Sequence, residues 1–249
     1  MKTIQYYAAK MRLDLSREQL DQFQTYQDLL LQWNQIINLT AITDPEEVAL
    51  KHFADSLSVV PFLIKAFEKG RSRFPDLTLI DVGTGAGFPG IPLKIAFPGL
   101  SVTLMDSLQK RASFLDEVVS VLSLQGCNVV HSRAEDGAKN PAFREQFDVA
   151  IARAVAAMPV LSEYCLPFVK EGGVFVAMKS KAKEELDTAK YAIKILGGEV
   201  EECVDFHLPE SVMNRSAIVV RKKIKTPSIY PRKAGKPEKD PLCIQFLMK

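Results

Sequence analysis

Apolar residues fall at helical spacing through the first quarter of the chain and in short continuous runs thereafter. Between positions 16 and 39, Leu20, Phe23, Tyr26, Leu30, Leu31 and Trp33 recur three to four residues apart behind Ser16, Glu18 and Gln19, which have the chemistry of a helix start. A second helix is expected from Asp44-Pro45, where the acid caps and the proline takes the first turn, and a third from about Asp55 to Lys69. No strand is expected in these first residues. After the break "EKGRSRFPD" the pattern changes: "LTLIDVG", "SVTLMD", "GCNVVHS", "FDVAIARA" and "GGVFVAMKS" are apolar runs too short for helices, and each is followed by a helical segment. Continuous apolar strands alternating with helices predict a parallel sheet covered on both faces. Two late runs, "EVEECVDFHL" and "SAIVVRKK", suit an edge hairpin. The expected organisation is a helical extension over 1–70, an α/β domain over 71–224 and a basic tail over 225–249.

Composition narrows this picture only modestly. A chain of 249 residues with 47% hydrophobic residues can fill a sizeable core, and 32 basic against 30 acidic residues leave a net charge of +2, which points to no polyanion by itself. The distribution is more telling, because Arg221 to Lys239 holds eight Lys or Arg and only Glu238 against them. That charge run suggests a polyanionic partner. Cys127, Cys165, Cys203 and Cys243 stand 38 to 40 residues apart, without the close pairing of a zinc knuckle or a redox motif. With no apolar run of membrane-spanning length and no signal-like N-terminus, the expectation is a soluble cytoplasmic protein with ordinary thiols.

The chemistry concentrates in "LIDVGTGAGFPGIPL", residues 79–93. Gly85, Gly87 and Gly90 spell a dinucleotide fingerprint, while Asp81, Gly83, Gly85 and Gly87 spell the acidic glycine loop of an S-adenosylmethionine (AdoMet) site. Glycines after the first strand of an open sheet let a cofactor approach the backbone. Pro89 and Pro92 interrupt the helix that a dinucleotide fingerprint needs, and Asp81 would repel a pyrophosphate but attract the ammonium of AdoMet. AdoMet is favoured, and a dinucleotide or a structural turn stays open. Asp106, ending the second strand, suits ribose hydroxyls in either case. In "HSRAEDG", Ala134 and Glu135 can meet an adenine or begin a short surface helix. Arg153 and Lys179 end the fourth and fifth strands at the sheet's ligand edge, where either can reach substrate; the alternative is a structural ion pair for Arg153 and solvent for Lys179.

These segments resemble, in order and over nearly the whole chain, the glucose-inhibited division protein B family, the bacterial 16S rRNA guanine-N7 methyltransferases of the small subunit. The match rests on "LLLQWNQIINLTAI", "LKHFADSLSV", "LIDVGTGAGFPGIPLKI", "SLQKRASFL", "SRAED", "FDVAIARAVA", "GGVFVAMKS" and "YPRKAGKPEKDPL". The resemblance implies a class I AdoMet-dependent methyltransferase, with a Rossmann-like sheet and a helical N-terminal extension, that acts near position 527 of 16S rRNA. Its substrate would be RNA in the 30S subunit or an assembly intermediate, and the protein a monomer. It carries cofactor contacts onto Gly83, Phe88, Ala134, Glu135 and Arg153. Ser180 after Lys179 departs from the family's usual glycine.

Guanine N7 has a lone pair and no proton, so methylation there needs no general base. Substrate positioning is expected from Arg153, Asn38, His52 and Lys179, with Asn34, Asp55 and Ser56 nearby in the polar N-terminal group. Arg215, Arg232 and Lys233 are the expected RNA contacts, the last two on a tail that should add little to cofactor affinity. A small-molecule methyltransferase or a non-catalytic rRNA-binding assembly protein would share much of this pattern.

Overall fold

The computed structural model describes residues 3–68, 74–180 and 182–243. Residues 69–73 and 244–249, which hold part of the expected first boundary and the end of the tail, lie outside the described residues.

Seven strands form one sheet in the order β3-β2-β1-β4-β5-β7-β6: β1 (Thr78–Val82), β2 (Ser101–Asp106), β3 (Cys127–His131), β4 (Phe147–Arg153), β5 (Val169–Lys179), β6 (Gly198–His207) and β7 (Asn214–Lys222). The first five are mutually parallel, and β7 runs antiparallel between β5 and β6. The edge hairpin is therefore present, with its second strand on the inside. Alternate residues of the runs read as strands go to opposite faces: Leu79, Leu104, Ile151 and Val176 join one core, and Ile80, Met105, Ala150 and Phe175 the other.

The N-terminal helices cover the first of these faces and are not a separate body. Helix α1 (Ile4–Lys10) was not foreseen; α2 (Arg17–Asn34) begins with Ser16 and Gln19 in a reciprocal capping box. Gln19 Nε2 also donates to the carbonyls of Ile95 and Ala96. The expected second and third helices are one run through α3 (Pro45–Val48), a π-helical segment (Ala49–Ala54) and α4 (Asp55–Leu57). The break comes instead before α5 (Val60–Phe67), because Pro61 has no N–H to continue the ladder. Phe23, Leu30 and Phe53 share a core with Leu79 and Val176 of the sheet. On the same side lie α6 (Gly90–Ala96) and α7 (Gln109–Val121). The opposite side carries α8 (Ala134–Gly137), α9 (Met158–Cys165) and α10 (Lys183–Ile195), and the C-terminal segment with α11 (Lys236–Lys239) packs on α9.

In this order the strand connections diverge between β1 and β4, which opens a crevice at the carboxyl ends of the parallel strands. Asp81, Asp106, Arg153 and Lys179 are at or next to those ends.

Candidate functional site

The glycine loop is fastened from below. Gly83 and Thr84 donate their amides to Met105 O at 2.8 and 3.1 Å, and Gly85 N donates to Asp106 Oδ2 at 2.9 Å. Asp106 also accepts from Leu108 N at 2.9 Å, so its 3%-exposed carboxylate is held rigidly where it lines the crevice. Gly83 and Gly85 have φ of +70° and +63°, and a Cβ on Gly83 would come 2.9 Å from Val155 Cγ2, whereas one on Gly85 would meet nothing within 4 Å. Gly87 has a different task. Its Cβ would fall 2.4 Å from Ile91 and 2.7 Å from the Tyr26 hydroxyl, so its smallness serves packing under the loop.

Asp81 turns inward rather than toward a ligand. It is fully buried, and its Oδ2 accepts from Gly90 N at 2.8 Å and from Thr84 Oγ1 at 2.7 Å. Oδ1 has no hydrogen-bond partner, the single such buried side-chain oxygen or nitrogen among the described residues. Burial raises this carboxyl from 3.8 to about 6, against the two hydrogen bonds that pull the other way. Asp81 therefore does not meet a ligand's ammonium as the sequence suggested, and the case against a dinucleotide rests on a different contact. The first amide of α6, where a pyrophosphate would be expected, is already occupied by the protein's own carboxylate.

A cavity of about 180 Å3 opens above the loop, lined by Val82, Gly83, Asp106, Ala134, Glu135 and Val155 among others. Its walls pair apolar surface with carboxylates that accept hydrogen bonds, and its cation, Arg133, is exposed. That donor-seeking set fits the hydroxyls and amino group of an adenosine and opposes a pyrophosphate.

A second cavity, of about 620 Å3, shares Val155 with the first. Between them Ala154 holds φ at +55°, a backbone conformation that L side chains rarely adopt. Arg153 organises this second cavity. Its Nη1 donates to Asp55 Oδ2 at 3.0 Å and to Lys51 O at 3.3 Å, and its guanidinium lies 4.9 Å from the centre of the Phe88 ring. Asp55 accepts on its other oxygen from Arg215 Nε at 2.7 Å. His52 stacks on Phe88 at 4.5 Å, with Nδ1 3.4 Å from Arg153 Nη2 and Nε2 2.8 Å from Thr40 Oγ1. The guanidinium can only donate, so Nδ1 accepts and the ring carries its proton on Nε2. Burial, then Arg153, lowers His52 from 6.5 to about 4, which leaves it neutral at physiological pH. Lys179 donates to Ala156 O at 2.5 Å and Glu185 Oε2 at 2.7 Å on the cavity's far wall.

The structure therefore brings together Arg153, His52, Asp55, Lys179 and Arg215 around one cavity, and Gly83, Asp106, Ala134 and Glu135 around the other. Phe88 is buried beneath the first group. Asn38 is exposed after α2, Asn34 accepts from the amides of Leu39 and Thr40, and Ser56 donates to His52 O. These three serve the local backbone or solvent. Arg232 departs most from expectation. Its Nε and Nη2 hold Glu163, which has 0% exposure, and its Nη1 lies 3.6 Å from Asp240, so the guanidinium is spent inside the protein. Lys233 remains exposed. Much of the basic run is similarly paired: Lys222 is buried beside Glu145, Arg221 pairs with Glu201, Lys223 with Glu199 and Lys236 with Asp240. Sequence reading missed Tyr164, Val155, Gly235 and Glu238 in the first cavity.

Residues 19–214 match the family model of rRNA small subunit methyltransferase G. The chain is 52% identical over 235 residues to "Ribosomal RNA small subunit methyltransferase G" of Acetivibrio thermocellus, covering 94% of this chain and 93% of that protein. It is 51% identical over 231 residues to the protein of the same description from Oceanobacillus iheyensis, covering 92% and 94%. Among solved structures, a SAM-dependent methyltransferase from Aquifex aeolicus superposes with a TM-score of 0.50 at 19% identity, covering 71% of this chain and 93% of that one. A putative sarcosine dimethylglycine methyltransferase from Galdieria sulphuraria gives 0.54 at 13%, covering 73% and 89%. At those identities the likeness is one of fold.

Proposed function

The chain belongs to the rRNA small subunit methyltransferase G family, and from that membership and the paired cavities we propose that it transfers the methyl group of AdoMet to N7 of a guanine in 16S rRNA, in the region of position 527. The observation that carries the reading is the junction at Val155, where an acceptor-lined cavity suited to adenosine meets a larger cavity lined by four cations and two carboxylates.

AdoMet, when bound, supplies a sulfonium methyl that a neutral lone pair attacks directly. The chain's own residues would bind and orient. Asp106 and Glu135 offer fixed acceptors to ribose and adenine, and the amides around Gly83 and Gly85 permit close backbone approach. Arg153 is preorganised by Asp55 and Phe88, so little conformational freedom remains to be lost when a substrate arrives. With His52 neutral, the positive potential of the second cavity comes from Lys51, Arg153, Lys179 and Arg215, partly balanced by Asp55 and Glu185. That balance attracts RNA phosphates while leaving carboxylates close to a base that gains positive charge on methylation. None of these side chains has to remove a proton from N7.

Purified protein incubated with labelled AdoMet and either unmodified 30S subunits or naked 16S rRNA should label one guanine, and only with RNA present. Mapping the modified nucleotide tests the site, and comparing the two substrates tests whether the assembled subunit is required. Label that appears on no nucleotide refutes the reading.

A further inference from the structure

The C-terminal segment returns across the sheet and helps to enclose the smaller cavity. Arg144 fixes its start by donating to Tyr230 O at 2.8 Å and Thr226 O at 2.8 Å. Arg232 then seals it to α9 through Glu163: a fully buried carboxylate is costly unless paired, and Arg232 meets it with its backbone amide at 2.8 Å, Nε at 3.0 Å and Nη2 at 2.6 Å. Further along, Gly235 N donates to Glu135 Oε1 at 2.9 Å, tying the segment to a side chain that lines the cavity. Glu238 accepts from the Tyr164 hydroxyl at 3.3 Å, and burial together with Glu135 and Glu238 keeps that hydroxyl protonated far above its ordinary range. Gly235, Glu238 and Tyr164 all stand in the cavity wall beside Ala134 and Glu135.

From this arrangement we infer that the segment from Tyr230 to Asp240 is a wall of the cofactor pocket and that Glu238 is a cofactor-binding residue, which accepts a hydrogen bond from the exocyclic amino group of the adenine. The inference rests on AdoMet being the cofactor. An adenine amino group has two N–H donors, and two carboxylates, Glu135 and Glu238, face the same cavity from the loop after β3 and from the tail. One oxygen of Glu135 is taken by Gly235 N, and the tail supplies the further acceptor. The basic run therefore contributes to cofactor affinity, contrary to the expectation drawn from its position beyond the glycine loop and the segments that follow it. Two of its cations fix the segment that carries Glu238: Arg232 pairs with Glu163 of α9, and Lys236 pairs with Asp240 across α11.

The test uses calorimetric titration of the full-length protein with S-adenosylhomocysteine and with S-inosylhomocysteine, which carries an oxo group in place of the amino group. Glu238→Ala should weaken S-adenosylhomocysteine binding about tenfold, the loss of one charge-assisted hydrogen bond. Binding of the inosine analogue should not weaken. Glu238 is exposed and its one side-chain hydrogen bond among the described residues, from the Tyr164 hydroxyl, is long at 3.3 Å, so the ligand-free variant should unfold cooperatively within a few degrees of the parent and report an intact fold. If the parent binds S-adenosylhomocysteine and the variant binds it equally well, or loses both ligands in equal measure, the inference is overturned. A parent that binds no S-adenosylhomocysteine strikes at the proposed cofactor itself.

Discussion

Asp81 and His52 give the ligand-free protein two opposed pH dependences, and Asp81→Asn should separate them. Burial raises the Asp81 carboxyl from 3.8 to about 6, so the folded state resists its ionisation. The folded state then binds more protons than the unfolded state in this interval, and stability falls as pH rises from about 4 to 6, by about 3 kcal/mol in all. His52 is lowered from 6.5 to about 4, so the folded state there binds fewer protons. Its contribution makes stability rise with pH across nearly the same interval, again by about 3 kcal/mol. In the parent protein the two slopes largely cancel. Asparagine at position 81 keeps an oxygen to accept from Gly90 N and Thr84 Oγ1 but cannot ionise. Its amide, placed where Oδ1 lacks a partner, adds a cost of about 1–3 kcal/mol that does not vary with pH. The informative quantity is therefore the stability of the variant minus that of the parent, which should climb by about 3 kcal/mol between pH 4 and pH 7. In a chain of this length that amounts to a relative gain of roughly 6–12 °C in Tm. Urea unfolding followed by circular dichroism across this range measures it. His52→Gln should show the opposite trend, its relative stability falling as pH rises from 4 to 6.5. A difference between Asp81→Asn and the parent that stays constant with pH would refute the assignment of a raised carboxyl at position 81.

Gly83→Val places a branched side chain at φ +70° and a Cβ 2.9 Å from Val155, at the junction of the two cavities. Calorimetry should show S-adenosylhomocysteine binding lost while circular dichroism shows the fold retained at lower Tm; unchanged affinity would mean that Gly83 does not border the cofactor. Arg153→Ala should lower methyl transfer by roughly ten- to a hundredfold, with Arg215 still paired to Asp55 and the fold preserved. Arg153→Lys should restore only part of the rate, because one ammonium cannot reproduce contacts to Asp55, Lys51 O and the Phe88 face together; full activity in the alanine variant, in single-turnover assays, would make Arg153 structural.

The sheet was legible because a strand buried on both faces is apolar through its middle, and "VTLM" within β2, Thr103 aside, and "VAIA" within β4 have that character. The π-helical stretch from Ala49 to Ala54 was not legible, because widening a helix by one residue per turn hardly disturbs a pattern of apolar positions six residues long. The glycine loop was half legible. Its spacing announces close backbone approach, yet the spacing does not distinguish Gly85, above which a Cβ would find open space, from Gly87, whose Cβ would strike Tyr26. Asp81 was read as facing a ligand, and the structure uses it to hold the loop and the start of α6 together. The internal pairing of the tail was not legible for a more general reason. A run of Lys and Arg looks solvated until its counter-ions are located, and the buried one lies far away in sequence: Glu163 is 69 residues from Arg232. A sequence signal did exist on the other side of the pair. Glu163 interrupts the apolar segment "MPVLSEYCLPFV", all of whose residues from Met158 to Val169 are buried, and an acid at such a position demands a cation from elsewhere in the fold. Read from the buried acid outward, the basic tail is recruited to α9 through Arg232 before any RNA is considered, while Lys233 stays exposed and Arg153, Lys179 and Arg215 line the larger cavity.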